Sequence, residues 1–229
     1  MPGTQIGRRK RWAPGPSAKI DWSHPLAQGL NILGLPNGLN TPTPTVSCPT
    51  SSTVFGPSWD VSAGIVQHTC PPSPHLTGLT MAGCGVWDSG ELHMLTSDGG
   101  AGINGSAGGF RWWQFRISSG NVQAIVFGTS PVGTTVSGVI TAGIPFRAVA
   151  SIQADKSVAV WAVCGSLSGY AASGANGTAA YSGPGNVLCE TGRFGATVGS
   201  VSEVAQWLRP LSEAEAQMWL ADPFCMLRF

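Results

Sequence analysis

The stretch FRAVASIQADKSVAVWAVCG, residues 146–165, decides the fold. Two runs of β-branched, aromatic and small residues, 146–152 and 158–163, flank the polar segment 154–156. This pattern predicts a β-hairpin. The second run is apolar on both faces, which is typical of a strand that is covered on both sides. We therefore expect a layered β-structure built around this hairpin.

Alternation with a period of two residues extends outward from the hairpin. In the segment 110–117 the apolar face consists of Trp113, Phe115 and Ile117. The opposite face consists of Trp112, Gln114 and Arg116. Further strands are predicted at 79–87, 122–127 and 201–208, joined by turns rich in Gly, Pro, Ser and Asn. Strands at this spacing indicate an all-β sandwich or jelly roll.

Two other segments have distinct local patterns. Ser212 and Glu215 form the Ser-x-x-Glu pattern of a capping box, which predicts one short C-terminal helix. The pair 222–223, Asp-Pro, ends that helix. Prolines throughout residues 36–75 exclude central strands and helices. Long surface loops with short strands between them, such as 53–55, are expected there.

Composition bounds the class of protein. Of 229 residues 10% are charged and 42% are hydrophobic, and the formal net charge is +1. The apolar content supports a real core and excludes global disorder, and the low net charge excludes a strongly basic nucleic-acid binder. The length suits one all-β domain, since sandwiches run to about 200–250 residues. Because charge is sparse, we expect part of the surface to be covered in an assembly.

Residues 1–25 are expected to form an extended N-terminal arm, followed by a single domain at 26–229. The arm has no apolar periodicity and carries four consecutive cations beside a tryptophan: Arg8, Arg9, Lys10, Arg11 and Trp12. Fully extended, it reaches on the order of 80 Å, enough to cross a neighbouring subunit. A solvated tail or a contact with an acidic neighbour is preferred over phosphate binding, because four phosphate contacts make a weak nucleic-acid binder.

The six cysteines carry no recognisable motif. They lie far apart, without the C-x-x-C spacing of a zinc or redox site. Reduced, mostly buried thiols are preferred over disulfides, because the N-terminus lacks the pattern of a signal peptide. No run of residues approaches the roughly 18 apolar residues that span a bilayer. We therefore expect no membrane partner.

Several segments together resemble a known family. The hairpin 146–165 resembles the central hairpin of laminin-G-like, concanavalin A-like domains. Segment 201–215 looks like their closing segment, in which a strand carrying a Glu leads into a helix start. The opening segment 20–30 and the ending 222–224 are similar to versions from bacteriophage and prophage proteins. The resemblance implies a jelly roll of two antiparallel sheets with adjacent terminal strands, and it leaves the function open.

The carboxylates do not form a glycosidase pattern. Glycoside hydrolysis needs two carboxylates held across the scissile bond, and the E-x-D-x-E-like pattern of glycanases with this fold is missing. Asp88 and Glu91 flank a turn and could face one another, but no third carboxylate supports them. Glu213 and Glu215 lie in the first turn of the helix, where capping and the helix dipole explain them. No catalytic residue is assigned.

Metal and nucleophile motifs are also missing from the sequence. Asp98 and Asn104 could supply two calcium ligands, but a turn in a Gly-rich loop is preferred. The four histidines form no zinc motif, and neither a nucleophile elbow nor a phosphate-binding loop is found. We expect no catalysis, no metal and no cofactor.

Aromatic residues remain as binding candidates. Most of the nine tryptophans sit in core-like alternation, namely Trp87, Trp113, Trp161 and Trp207. Trp112, with Arg116 on the same strand face, is the best candidate for a glycan platform. The same pair also has the composition of a protein–protein hot spot, and an interface or core role for Trp112 is preferred over sugar binding.

These observations favour a non-enzymatic bacteriophage virion protein, a capsid decoration subunit. Its expected partners are the major capsid protein and copies of itself, which it would bind through the arm and the sandwich surface, without specific nucleic acid. The alternative is a carbohydrate-binding, lectin-like module for attachment to a host surface glycan, on a virion or tail fibre. A secreted glycanase is a third, weaker hypothesis.

Overall fold

The structure is a computed structural model that describes residues 18–36, 39–70, 78–98, 113–126, 132–174 and 187–228. Within these ranges the chain forms fifteen strands and one α-helix. The strands are β1 (Lys19–Ile20), β2 (Leu30–Gly34), β3 (Thr45–Val46), β4 (Thr50–Thr53), β5 (Gly56–Asp60), β6 (Ile65–Cys70), β7 (Leu79–Asp98), β8 (Trp113–Ser118), β9 (Asn121–Val126), β10 (Val132–Val136), β11 (Pro145–Ile152), β12 (Val158–Cys164), β13 (Leu167–Ala172), β14 (Val187–Trp207) and β15 (Leu227–Arg228). The helix is α1 (Glu213–Ala221).

The strands form two antiparallel layers that share β7 and β14. The back layer has the order β2-β14-β7-β11-β12-β13, and the front layer has the order β3-β6-β14-β7-β8-β9-β10. Strands β9 and β10 contact β12 and β13 without hydrogen bonding to them, so the two layers pack face to face. This confirms the predicted all-β, two-sheet antiparallel sandwich with one short helix.

The two long strands pass from one layer to the other where their pairing is irregular. The register of β7 against β14 shifts at several points, including between Val201 and Glu203. Gly90 adopts a φ of 77°, a conformation that favours glycine. Bulges of this kind bend strands and increase their twist. The strand predicted at 79–87 is confirmed, and β7 continues past the bend to Asp98.

Two apolar clusters hold the layers in place. The inner cluster lies between the layers and includes the fully buried Trp59, Trp113 and Phe146. The outer cluster lies on the other side of the back layer, where α1 and the N- and C-terminal segments cover it, and includes Trp207 and Trp219. Strand β12 contributes to both clusters, which confirms the prediction that this strand is covered on both sides.

The terminal segments of the described chain lie together. Strand β1 pairs with β15, and Ile20 and Leu26 are buried in the outer cluster. Residues 18–25 of the predicted arm are thus packed against the domain. Residues 1–17, with the four cations and Trp12, lie outside the described residues, so the arm stays a prediction.

The predicted capping box is confirmed. The backbone N–H of Glu215 donates to Ser212 Oγ at 3.3 Å, and the backbone N–H of Ser212 donates to Glu215 Oε2 at 2.9 Å. Arg209 Nη2 donates to the other carboxylate oxygen of Glu215 at 2.7 Å. The hydrogen bond from Arg209, more than those from Ser212, lowers the pKa of Glu215 to about 2. The helix ends at Ala221, with Asp222 as its C-terminal cap.

Three local expectations need correction. The prolines of 36–75 do not exclude central strands, because β5 pairs with both β4 and β14, and β6 pairs with both β3 and β14. Residues 54–55 form the turn between β4 and β5 where a strand through 53–55 was expected, because Gly56 with a φ of 96° reverses the chain there. Cys189 is disulfide-bonded, so the expectation of reduced thiols is wrong at that position. Four other cysteines are in the thiol form: Cys48, Cys84, Cys164 and Cys225.

Glu203 is a fully buried carboxyl group on the outer side of the back layer. It lies on β14 opposite Cys84, and neither carboxyl oxygen has a partner at hydrogen-bonding geometry among the described residues. Burial raises its pKa well above the ordinary value, and the nearby Trp219 indole lowers it by less. A group whose folded-state pKa is raised contributes stability that is complete only below its ordinary value, here 4.5. That stabilisation is lost as the pH rises toward the folded-state pKa.

We therefore predict that Glu203→Gln increases the free energy of unfolding relative to the unsubstituted protein, and that the gain grows with pH. Glutamine is a near isostere that does not titrate, so the gain should be small at pH 4 and larger at pH 8. The slope between these limits should not exceed about 1.4 kcal/mol per pH unit. Urea unfolding at several pH values measures it. A gain that is independent of pH, or a loss that grows with pH, would contradict the prediction.

Candidate functional site

The outward face of the front layer carries a row of polar side chains. On β8 the side chains of Trp113, Phe115 and Ile117 enter the inner cluster, as the alternation predicts. The side chains between them, including Arg116, consequently lie on the opposite face. Arg116 stands directly across from His93 on β7 and from Gln123 on β9. Three neighbouring strands therefore bring polar groups into one row.

These groups form a continuous set of hydrogen bonds, here called the front-face network, made up of Glu91, His93, Thr96, Arg116 and Gln123. Arg116 donates from Nη1 to Glu91 Oε1 at 2.5 Å and from Nε to Gln123 Oε1 at 2.9 Å. His93 Nε2 lies 2.7 Å from the same oxygen of Glu91, and its Nδ1 lies 2.7 Å from Thr96 Oγ1. The network thus fixes one carboxylate between a guanidinium and an imidazole.

The network keeps Glu91 ionised. The hydrogen bond with His93 has the largest effect and, with that of Arg116, outweighs partial burial and lowers the pKa of Glu91 to about 2. The side chains of Glu91 and Arg116 are each 22% exposed, whereas His93 is fully buried. Solvent therefore reaches the ion pair, whereas the imidazole that contacts Glu91 is closed to solvent.

A cavity of about 520 Å³ lies beside this network, at the bend of β7. We call it the rim cavity, and its lining residues are Trp87, Asp88, Ser89, Gly90, Glu91, Ser118 and Ser119. The ring of Trp87 is buried in the inner cluster, and its indole N–H donates to the carbonyl of Gly90 at 3.1 Å, which holds the bend of β7 against the core. Ser118 and Ser119 come from the β8–β9 turn that the sequence predicts at 118–121. Glu91 belongs to both the cavity and the network.

A larger cavity, of about 590 Å³, lies over the outer side of the back layer between the 54–55 turn and the end of α1. Seven of its ten lining residues are apolar: Val54, Phe55, Val163, Leu220, Ala221, Pro223 and Phe224. Its cation, Arg147, donates to the carbonyl of Ala221 at 3.0 Å and so complements the negative end of the helix dipole. This cavity therefore has fewer polar groups to orient a ligand than the rim cavity has.

The candidate residues of the sequence have different outcomes in the structure. Arg116 lies in the front-face network, whereas Trp112 lies outside the described residues, so its pairing with Arg116 stays a prediction. Asp88 and Glu91 both line the rim cavity, as their spacing suggests. Sequence reasoning missed His93, although its position two residues after Glu91 places both side chains on one face of a strand.

The network has the order hydroxyl, imidazole, carboxylate, which occurs in hydrolases. Here the hydroxyl belongs to Thr96, which is only 1% exposed and therefore closed to a substrate. The carboxylate is engaged by Arg116. Across the described ranges no group of three His, Cys, Asp or Glu residues could hold a metal ion. The arrangement is suited to binding, because it presents fixed donors and acceptors next to a cavity.

No helix in the described part of the chain is long and apolar enough to cross a bilayer.

Comparison with known proteins identifies the fold. The binding domain of Paraclostridial Mosquitocidal Protein 1 superposes with a TM-score of 0.65 at 10% identity, over 87% of this chain and 53% of that one. The receptor binding domain of botulinum neurotoxin mosaic serotype C/D gives 0.61 at 7% identity, over 86% and 51%. The chain shares their β-sandwich fold. The binding domain of botulinum neurotoxin DC gives 0.58 at 8% identity, over 85% and 51%.

This chain spans about half the length of each of these toxin domains. No family model and no curated protein matches the sequence. The likeness therefore concerns the sandwich fold, and the three neighbours are named as binding domains.

Proposed function

We propose that this chain is a carbohydrate-binding module whose glycan site is the rim cavity together with the front-face network. The observation that carries the proposal is the Arg116–Glu91–His93 arrangement, which presents a partly exposed, hydrogen-bonded ion pair at the edge of a hydroxyl-rich cavity. Catalysis is not part of the proposal.

The chemistry of this surface matches that of a sugar. Sugar hydroxyls both donate and accept hydrogen bonds, and hydrogen bonds to charged groups are roughly twice as strong as neutral ones. The network holds its donors and acceptors in place before a ligand arrives, which reduces the entropy that binding costs. Two carboxylates and three serine hydroxyls line the cavity, and a few convergent polar groups are typical of ligand sites.

The neighbours support the same class of ligand. The binding domain of botulinum neurotoxin DC is described in complex with SialylT, and this chain matches 51% of that domain. We transfer from it only the class, a glycan, because the two sequences are 8% identical.

The place of this chain in a larger assembly is part of the proposal. A place on a virion or tail fibre, with a host surface glycan as the ligand, agrees with this function. A capsid decoration role bound to the major capsid protein stays a prediction, because its arm of residues 1–17 lies outside the described residues. The order expected from the sequence, an arm at 1–25 and one sandwich domain at 26–229, also stays a proposal, with residues 18–25 of the arm packed against the sandwich.

The test is a glycan array with the purified chain, followed by calorimetry of the best ligand with the unsubstituted protein and Arg116→Gln. Loss of a charged hydrogen-bond donor should weaken binding by about tenfold or more. Far-UV circular dichroism and the melting temperature establish that the variant is folded.

Arg209→Gln is the matched control. Arg209 and Glu215 also form an ion pair, at 2.7 Å with side chains 28% and 23% exposed, but they lie at the start of α1, outside both the rim cavity and the network. This variant should bind the glycan like the unsubstituted protein. An array without any bound glycan, or equal weakening by both variants, would reject the proposed function.

A further inference from the structure

The charges around the rim cavity are unbalanced. Two carboxylates, of Asp88 and Glu91, line it, and none of its lining residues is cationic. Glu91 is paired with Arg116 at 2.5 Å, so the charges of these two residues offset each other. Asp88 is exposed and forms no ion pair within the described ranges. The cavity therefore retains the negative charge of Asp88.

The remaining lining groups supply hydrogen bonds without charge. Ser89, Ser118 and Ser119 contribute hydroxyls from two sides, the bend of β7 and the β8–β9 turn. Hydroxyls tolerate either a donor or an acceptor on the ligand, so they do not discriminate between sugars by charge. Asp88 is therefore the lining residue that can distinguish sugars by their charge.

Resting on the proposed function, we infer that the rim cavity selects amine-bearing sugars, with Asp88 as the residue that contacts the ammonium group, and that it disfavours sugars that carry a carboxylate. A ligand ammonium would pair with the unbalanced carboxylate. A ligand carboxylate would meet a like charge, and this repulsion is the element that gives specificity against the wrong ligand. Because Asp88 is exposed, solvent limits the preference to a few-fold.

Three trisaccharides with the same β1,4-linked glucopyranose backbone test this inference. They are the glucosamine trimer, which carries amines, cellotriose, which is neutral, and cellotriose oxidised to carboxylates at C6. Calorimetry or NMR titration at low salt should rank them in that order. The glucosamine trimer should bind about threefold more tightly than cellotriose. The difference should shrink in about 1 M salt, where the Debye length falls to about 3 Å.

Asp88→Asn should abolish the ranking, because it keeps the shape and the hydrogen bonding of the side chain and removes its charge. Asp155→Asn is the matched control, since Asp155 is an exposed carboxylate in the turn between β11 and β12 and outside the cavity lining. The control should leave the ranking intact.

The experiments distinguish a failure of this inference from a failure of the proposed glycan-binding function. An array on which no glycan binds rejects the proposed function, and the inference falls with it. If glycans bind in a manner that depends on Arg116, the function stands. In that case the inference alone is rejected by a glucosamine trimer that binds no better than cellotriose, or by a preference that persists in Asp88→Asn.

Discussion

Gly85→Ala is expected to lower the free energy of unfolding by about 3 kcal/mol or more, enough to prevent accumulation of the folded protein. A Cβ atom at Gly85 would lie 2.0 Å from the carbonyl oxygen of Ser200 and 3.0 Å from Cα of Val201. Both are backbone atoms of β14, the strand that pairs with β7 in both layers. Relief of the contact would require the two long strands to move apart. Urea unfolding of the soluble fraction measures the loss.

Two other glycines make this prediction a graded series. A Cβ at Gly83 would lie 3.1–3.2 Å from the side chain of Met94, which is flexible, so Gly83→Ala should cost less than Gly85→Ala. A Cβ at Gly174 would meet nothing within 4 Å, and Gly174→Ala should change the free energy of unfolding by no more than about 0.5 kcal/mol. Equal stability of the three variants would contradict the prediction, because it would show that the close approach of β7 and β14 does not restrict side-chain size at Gly85.

Trp207→Ala is expected to cost about 3–5 kcal/mol. The side chain is fully buried in the outer cluster, and its indole N–H donates to the carbonyl of Leu26. The substitution removes the ring that joins the back layer to the N-terminal segment, and it leaves a cavity and an unpaired carbonyl. Thermal and urea unfolding measure the loss.

Two variants separate the ring from its hydrogen bond. Trp207→Phe keeps most of the ring and removes the donor, so it should cost about 1–3 kcal/mol. Trp22→Ala is the control for an exposed tryptophan, since Trp22 is 62% exposed, and it should change stability by no more than about 0.5 kcal/mol. If Trp207→Ala were as mild as Trp22→Ala, the outer cluster would contribute little to stability.

Part of the candidate site can be predicted from the alternation of residues along its strands. Alternation in 110–117 places Arg116 opposite the apolar face of β8, and this prediction is confirmed. The spacing of Asp88 and Glu91 brings both into the rim cavity, as the sequence suggests. The sequence does not predict that Arg116 contacts Glu91 or His93. The predicted strand ends at residue 87, before Glu91 and His93. The bend at Gly90 interrupts the alternation that would have revealed the rest of the strand.

The local features of this protein follow from short stretches of its sequence. The 146–152 and 158–163 hairpin depends on β-propensity and alternation, and the cap of α1 depends on two residues three positions apart. Such features are encoded within a few residues, so their prediction needs no knowledge of the neighbouring strands.

The choice of neighbouring strands and their register depends on the tertiary structure. Register places Arg116 opposite His93, and Ser118 beside Glu91, although about 25 residues separate the partners in the chain. It also places Glu203 beneath α1, where burial raises the pKa of its carboxyl group. Alternation specifies the two faces of a strand but not its partner, because non-local pairing depends on the packing of the whole sandwich.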